Sequence, residues 1–168
     1  AAIAVVHDTL SEGLSQSVDF DVVLERVLML VAEVASAGSS VVKPTTKGSV
    51  GILPSEYATP LALVLTELVT NAVEHGLRGK TDGQVGIEST RREDILTISV
   101  TDNGGGLKDG KVGDGLGTQI VRTLVDGELG GSIEWHRQES GGTEVRIDIP
   151  LHFLRATGAV ASQHNERT

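Results

Sequence analysis

The sequence has no cysteine, little positive charge and no long apolar run. The absence of cysteine among its 168 residues excludes disulfides and thiolate chemistry, and it fits a reducing compartment. A net charge of −9 at pH 7 argues against a general nucleic-acid binder, whose phosphate contacts need clustered lysine and arginine. The apolar runs fall far short of the roughly 18 residues that a membrane helix requires. No basic leader is visible, so we expect a cytoplasmic protein without a membrane segment.

The length favours one domain with short appendages. A chain of this size buries roughly two thirds of its unfolded surface, so it needs no covalent staple. It begins at Ala1 rather than Met, which suggests an excised fragment of a longer protein. We assign residues 1–18 to the end of a helix and a linker, residues 19–155 to the main domain, and residues 156–168 to a flexible tail without periodicity.

Hydrophobic periodicity predicts helices first and then strands mixed with a helix. Asp19 is placed to cap a helix that reaches about Ser36, and Pro60 fits the first turn of a helix that Gly76 ends. The β-prone segments are 39–52, 84–90, 95–102, 131–137 and 143–149, with a further helix at 118–125. This order favours an α+β fold, a two-layer α/β sandwich in which helices cover one face of a mixed, mostly antiparallel sheet.

The stretch ELVTNAVEHG, from Glu67 to Gly76, places three polar side chains four residues apart on a mostly apolar helix. At about 100° per residue, Glu67 lies outside the apolar stripe, Asn71 at its border and His75 within it. A solvated helix flank with a satisfied histidine is the simpler interpretation. The functional interpretation is a cleft beside the helix, in which the side-chain oxygen of Asn71 binds a hard cation.

The stretch DNGGG, from Asp102 to Gly106, follows a strand whose core-facing residues are in phase with Asp102. A carboxylate in that position needs a donor, because burying it unpaired is costly. The glycines after it allow another molecule to approach the backbone, and a planar amine such as an adenine amino group meets both conditions. The alternative is that Asp102 caps its own turn.

Two further glycine-containing stretches complete the pattern. GDGLG, from Gly113 to Gly117, opens a helix, where free backbone N–H groups and the positive end of the helix dipole favour an anion. A mobile glycine-rich loop is the alternative. In GGTEV, Thr143 shares the inward phase of the last strand, although a buried threonine is ordinary by itself. Together the four stretches indicate a nucleotide pocket. In it, Asp102 would contact the adenine base, Asn71 the metal and the glycine loop the phosphates.

In this order, the stretches resemble the motifs of the ATP-binding domain shared by histidine kinases, gyrase, the Hsp90 chaperones and MutL. ELVTNAVEH resembles the N box, DNGGG and GDGLG the two glycine boxes, and GGTEV the final GT element, over roughly residues 54–151. The resemblance implies an α/β sandwich that binds ATP and Mg²⁺, with Asn71 as a metal ligand. It implies that Glu67 orients or deprotonates the acceptor imidazole, or holds a water on the metal. The residues that it implies in nucleotide binding are Asn71, His75, Asp102, Gly104, Gly106, Lys108, Lys111, Gly113, Gly115, Leu116, Gly117, Thr118 and Thr143.

The N-terminal segments IAVVHDTLSEGL and VDFDVVLERVLMLV narrow the resemblance to soluble sensor histidine kinases of actinobacteria. We therefore expect a catalytic domain that transfers the γ-phosphoryl group of ATP to a histidine of its own homodimeric kinase, for relay to a response regulator. Residues 1–18 then hold the end of the dimerisation helix and the linker. The phosphoacceptor is expected upstream of Ala1, which makes His7 an ordinary helix residue.

The sequence departs from this group of kinases at the phosphates and in the lid. Glu74 stands where many of them carry a lysine, so Mg²⁺, Lys108 and Lys111 are expected to neutralise the charge. The lid is short, and an aromatic F box is absent.

The main alternative function is that of an anti-sigma-factor serine kinase, which sequesters a transcription factor and whose NAxEH motif resembles NAVEH. Such proteins lack a helix like IAVVHDTL. An ATP-gated clamp of the gyrase or MutL kind needs a longer lid and a transducer domain.

Overall fold

The structure is a computed structural model that describes residues 17–105 and 115–151. Within these ranges, three helices pack with a five-stranded and a two-stranded sheet, and no helix there is long and apolar enough to cross a membrane. In chain order the elements are β1 (Ser17–Asp19), α1 (Phe20–Ala37), β2 (Val42–Gly48), β3 (Ile52–Pro54), α2 (Ser55–Asn71), β4 (Gly83–Arg92), β5 (Ile95–Asp102), α3 (Leu116–Thr123), β6 (Ser132–Arg137) and β7 (Thr143–Pro150). A wide π turn extends α2 over Ala72–Gly76, and another extends α3 over Leu124–Glu128.

The large sheet is mixed and mostly antiparallel, as the sequence predicts. Its strand order is β2-β4-β5-β7-β6, in which β2 runs parallel to β4 and the other neighbouring pairs are antiparallel. On β5, Leu96, Ile98 and Val100 are buried, whereas the residues between them are partly exposed. This alternation shows that the helices cover one face and leave the other to solvent.

Helix α1 is fastened at its start by two aspartates. The carboxylate of Asp19 accepts a hydrogen bond from the N–H of Asp21, which confirms the predicted helix cap. The carboxylate of Asp21 accepts from the hydroxyl of Ser49 at 2.6 Å and from the N–H groups of Val50 and Gly51 at 2.9 Å each. These bonds tie the start of α1 to the loop before β3, which itself pairs with β1.

Helix α2 begins one turn earlier than the sequence predicts. It starts at Ser55, so Pro60 lies inside the helix and not in its first turn. Proline has no N–H to donate to the carbonyl four residues before it. That carbonyl belongs to Glu56, an exposed residue, so water can replace the missing bond. The prediction that Pro60 lies in the first turn is wrong for this reason.

The π turn after α2 changes the position of His75. Its wider spacing is visible in the hydrogen bond from the N–H of Leu77 to the carbonyl of Ala72, five residues earlier, at 3.0 Å. His75 is exposed, whereas an α-helical wheel places it in the buried stripe. That prediction is wrong because a rotation of about 100° per residue holds only as far as the α-helical part.

A close backbone approach joins the end of β5 to the end of α2. The N–H of Gly105 donates to the carbonyl of Gly76 at 3.3 Å. A Cβ atom added at Gly104 would overlap that same carbonyl oxygen. No side chain therefore fits at residue 104 unless the two elements separate.

Replacing Gly104 by alanine is expected to lower the free energy of unfolding by about 1–3 kcal/mol, the usual cost of overpacking. The matched control is Gly105→Ala, because an added Cβ there meets no atom within 4 Å. Urea denaturation of the two variants measures the difference. Equal stability of the two variants would show that the approach of Gly104 to Gly76 is not a constraint.

Candidate functional site

The carboxylate of Asp102 is the central polar group of the site. Asp102 ends β5 and lies opposite Thr143, the first residue of β7. One of its oxygens, Oδ1, accepts a hydrogen bond from the N–H of Gly104 at 2.9 Å, and the backbone N–H of Thr143 also donates to the carboxylate. A carboxylate has room for about four such bonds, so acceptor capacity remains for a ligand.

Burial is the main influence on the pKa of Asp102. Desolvation raises the pKa of this half-buried carboxyl, while the hydrogen bonds from Gly104 and Thr143 and the positive charge of Lys80 act in the opposite direction. Desolvation prevails, so the charged form is incompletely compensated in the structure. A donor brought by a ligand would supply the missing compensation.

Glycines from three segments surround Asp102. An added Cβ at Gly76 would lie 3.2 Å from Oδ1, so a side chain there would press on the carboxylate. An added Cβ at Gly142, whose φ is +85°, would overlap the main-chain oxygen of Asp102. With Gly104, these residues bring the end of α2, the end of β5 and the start of β7 together around one carboxylate. A flat group can approach it where no side chain intervenes.

Thr143 lies on the buried side of β7. Only 8% of it is exposed, and Val145, Ile147 and Ile149 follow it on the same face. The prediction that Thr143 shares the inward phase is therefore confirmed. Its position opposite Asp102 places the fourth motif directly beside the second.

Glu67 and Asn71 follow one flank of α2. Both are half-buried, which agrees with the helical wheel. Glu67 lies against the first turn of α3, since a Cβ added at Gly117 would come within 2.9 Å of its Oε1. Asn71, the last residue of α2, stands one helical turn beyond Glu67 and directly before the π turn that leads to Gly76.

The structure thus gathers the predicted residues into two groups on either side of Asn71. One group contains Asp102, Gly104 and Thr143, and the other contains Glu67 with the start of α3. At that start, Gly115 and Leu116 are exposed, and Gly117 and Thr118 are half-buried. The predicted residues Gly106, Lys108, Lys111 and Gly113 lie outside the described residues.

Three residues near Asp102 were not predicted to belong to the site. Gly76 was interpreted only as a helix end, and in the GGTEV stretch that contains Gly142 only Thr143 was assigned to the site. Lys80 follows the helix in a polar loop and carries no motif signal. Their proximity to Asp102 depends on contacts between distant parts of the chain, for which the sequence has no periodic pattern.

Comparison with known proteins leads to a family. Over 154 residues the chain is 42% identical to the sensor histidine kinase PdtaS of Mycolicibacterium smegmatis, covering 89% of this chain and 31% of that protein. The solved structure of a blue-light activated histidine kinase from Erythrobacter litoralis matches with a TM-score of 0.72 at 28% identity, over 89% of this chain and 46% of that chain. Over 103 residues the chain is 33% identical to the anti-sigma F factor of Clostridium botulinum, covering 54% of this chain and 68% of that protein.

The chain spans less than a third of the length of PdtaS. Residues 56–152, more than half of the chain, match the family described as histidine kinase-, DNA gyrase B-, and HSP90-like ATPase. This range contains all four motifs, and the observed two-layer α+β fold agrees with the solved kinase structure. The chain belongs to this ATPase family, and its fold is that of the ATP-binding domain of histidine kinases.

Proposed function

We propose that this chain is the Mg²⁺-ATP-binding catalytic domain of a cytoplasmic sensor histidine kinase. It transfers the γ-phosphoryl group of ATP to a histidine of the dimerisation domain in its own homodimer, from which a response regulator receives it. The observation that carries this proposal is the half-buried, incompletely compensated carboxylate of Asp102, within a domain of the ATPase family.

Asp102 would recognise the adenine base. Its carboxylate has spare acceptor capacity, and the exocyclic amine of adenine is a planar donor. Gly76 and Gly104 carry no side chain that would block a flat base from reaching this carboxylate. The buried hydroxyl of Thr143 lies opposite and is available as a second polar contact.

Asn71 would ligand the metal. Mg²⁺ bound with a nucleotide takes most of its ligands from phosphate oxygens and water, so one amide oxygen from the protein is sufficient. Residues 17–105 and 115–151 contain no group of three or more histidine, aspartate or glutamate side chains placed to hold a metal. The described residues therefore fit a metal that arrives with the nucleotide rather than a dedicated protein cage.

The start of α3 would bind the phosphates, and Glu67 would act on the acceptor histidine or on the metal. Phosphoryl transfer requires chiefly alignment and charge neutralisation. The first turn of α3 has no acidic residue, and Gly115 is its N-cap residue, so the N–H groups of this turn are suited to phosphate oxygens. Glu67 would orient or deprotonate the acceptor imidazole or hold a water on the metal, and the exposed His75 would contact a phosphate. Lys108, Lys111, Gly106 and Gly113 complete the proposed phosphate contacts.

The second candidate function is that of an anti-sigma factor. The similarity to the anti-sigma F factor of Clostridium botulinum favours it, as does the resemblance of NAVEH to the NAxEH motif of anti-sigma-factor kinases. However, that alignment covers 54% of this chain, whereas the alignment with PdtaS covers 89%. The kinase function therefore accounts for more of the sequence.

Incubation with γ-labelled ATP tests the proposed function. The chain is expected not to label itself, and to label a purified, histidine-containing dimerisation segment of a sensor histidine kinase supplied in trans. The product should be acid-labile and base-stable, as expected of phosphohistidine. Labelling of the chain itself at His7 would contradict the proposal, and labelling of a serine on a partner protein would favour the anti-sigma function.

Replacing Asp102 by asparagine should weaken ATP binding strongly without unfolding the domain. The N–H of Gly104 holds one side-chain oxygen, so the new NH₂ group would face the adenine amine and leave two donors opposed. We expect a loss of about 1–3 kcal/mol or more in binding free energy, measured by calorimetric titration. Asp126→Asn, at an exposed residue, is the control. Near-wild-type affinity of Asp102→Asn would rule out base recognition by this residue.

The raised pKa of Asp102 predicts the pH dependence. A raised folded-state pKa means that ionised Asp102 lowers stability at neutral pH, and that this cost disappears as the pH falls through the folded-state pKa. Binding changes in the opposite sense, because a protonated carboxyl is a poorer acceptor for the adenine amine. ATP affinity should therefore fall on acidification at a higher pH than an ordinary aspartate would cause. In the Asp102→Asn variant, neither the free energy of unfolding nor the ATP affinity should show this pH dependence.

Replacing Asn71 by alanine should separate metal use from base recognition. Weak nucleotide binding in the absence of Mg²⁺ should persist through Asp102, while the gain in ATP affinity on adding Mg²⁺ should disappear. Asn71→Asp is the matched control, since it retains an oxygen ligand of similar reach. Titrations with and without Mg²⁺ measure the gain. An equal gain in Asn71→Ala and in the wild type would show that Asn71 is not the ligand.

A further inference from the structure

Two glycines of the same motif, Gly115 and Gly117, have different surroundings. A Cβ added at Gly115 meets no atom within 4 Å. A Cβ added at Gly117 would lie 2.9 Å from Oε1, 3.2 Å from Cδ and 3.4 Å from Oε2 of Glu67. All three of the nearest atoms belong to one carboxylate, so the space beside Gly117 is defined by Glu67.

The backbone at Gly117 gives no other reason for a glycine. Residue 117 lies in the first turn of α3, and it is not among the described residues that have a positive φ. An alanine adopts that conformation readily and stabilises a helix relative to glycine. The contact with Glu67 is therefore the feature of this position that a side chain would disturb.

Two features of the start of α3 favour the position of the Glu67 carboxylate. The start of α3 offers the positive end of a helix dipole, which favours a nearby negative charge. The absent side chain at Gly117 leaves the room that the carboxylate occupies. Any larger residue would push the flexible end of Glu67 aside and leave the helix backbone where it is.

We propose that Gly117 is a positioning residue that acts through Glu67. By leaving this space open, it determines where the Glu67 carboxylate stands beside the flank of α2 that carries Asn71. Its effect on phosphoryl transfer rests on the function proposed above, whereas the contact itself does not. The competing explanation is that Gly117 allows the phosphates to approach the backbone, in which case Glu67 plays no part in its effect.

A double-mutant cycle in stability tests the contact without nucleotide. Urea midpoints are measured for the 168-residue chain, for Gly117→Ala, for Glu67→Ala and for the double variant. With Glu67 present, Gly117→Ala should leave the midpoint unchanged or lower it. In the Glu67→Ala background, the same substitution should raise the midpoint, because alanine stabilises the helix once the space is free.

Gly115→Ala is the matched control in this cycle. Its effect on the midpoint should be the same with glutamate or alanine at residue 67, since nothing lies near its added Cβ. If Gly117→Ala alone fails to fold, the proposal requires the double variant to fold. An identical effect of Gly117→Ala in both backgrounds, or a double variant that also fails to fold, would overturn the proposal.

Binding and transfer then separate the two explanations. Gly117→Ala should keep its affinity for ADP within about twofold and lose roughly 10- to 100-fold in the rate of transfer to a histidine segment in trans, as a displaced catalytic group does. Adding Gly117→Ala to Glu67→Asp should cause no further loss, because the shorter side chain withdraws its carboxylate from the contact. A loss of ADP affinity, or an equal fold-loss in both backgrounds, would assign Gly117 to the phosphates and overturn the proposal.

The outcomes remain distinguishable from a failure of the proposed function. A wild-type chain that binds no nucleotide, or that labels no histidine segment, contradicts the kinase function. The stability cycle still reports on Gly117 and Glu67 in that case, because it requires neither ATP nor an acceptor.

Discussion

The close approach of two backbones, at Gly76 and Gly104, is the contact on which the rest of the site depends. It presses the end of a helix against the end of a strand without an intervening side chain. In the chain, Asp102 comes shortly before Gly104, and Asn71 comes shortly before Gly76. The residues proposed to recognise the base and to ligand the metal therefore lie on the two sides of one junction. Such a junction can hold the two parts of a nucleotide in a fixed relation, as phosphoryl transfer requires.

The same junction places the carboxylate of Asp102 where burial lowers the stability of its ionised form. Its burial raises the pKa, so the ionised carboxylate is held at some cost to stability. Hydrogen bonds from neighbouring N–H groups offset part of this cost but not all of it. In the proposed function a ligand donor would supply the remainder, which would link the stability of the domain to the occupancy of the site.

Helix α2 organises the chemistry along its length. Glu67 faces the start of α3, Asn71 ends the regular helix, and the π turn then directs the chain to Gly76 and Asp102. The π turn also moves His75 to the surface. The proposed roles of these residues in acceptor, metal and base recognition thus follow the order in which the helix presents them.

The sequence by itself determined the element types, the mixed and mostly antiparallel sheet, and the phases of Asp102 and Thr143, because these follow from local periodicity. It also contained the four motifs in an order that leads to the ATPase family. Only the tertiary structure decided that α2 begins before Pro60, that His75 is exposed and that Gly117 faces Glu67. An internal proline is tolerated near the start of α2, where the carbonyl that loses its donor belongs to an exposed residue. A π turn alters the rotation per residue on which the helical wheel relies. The contacts of Gly76 with Gly104 and of Glu67 with Gly117 join residues far apart in the chain, and periodicity within one element carries no information about its partner.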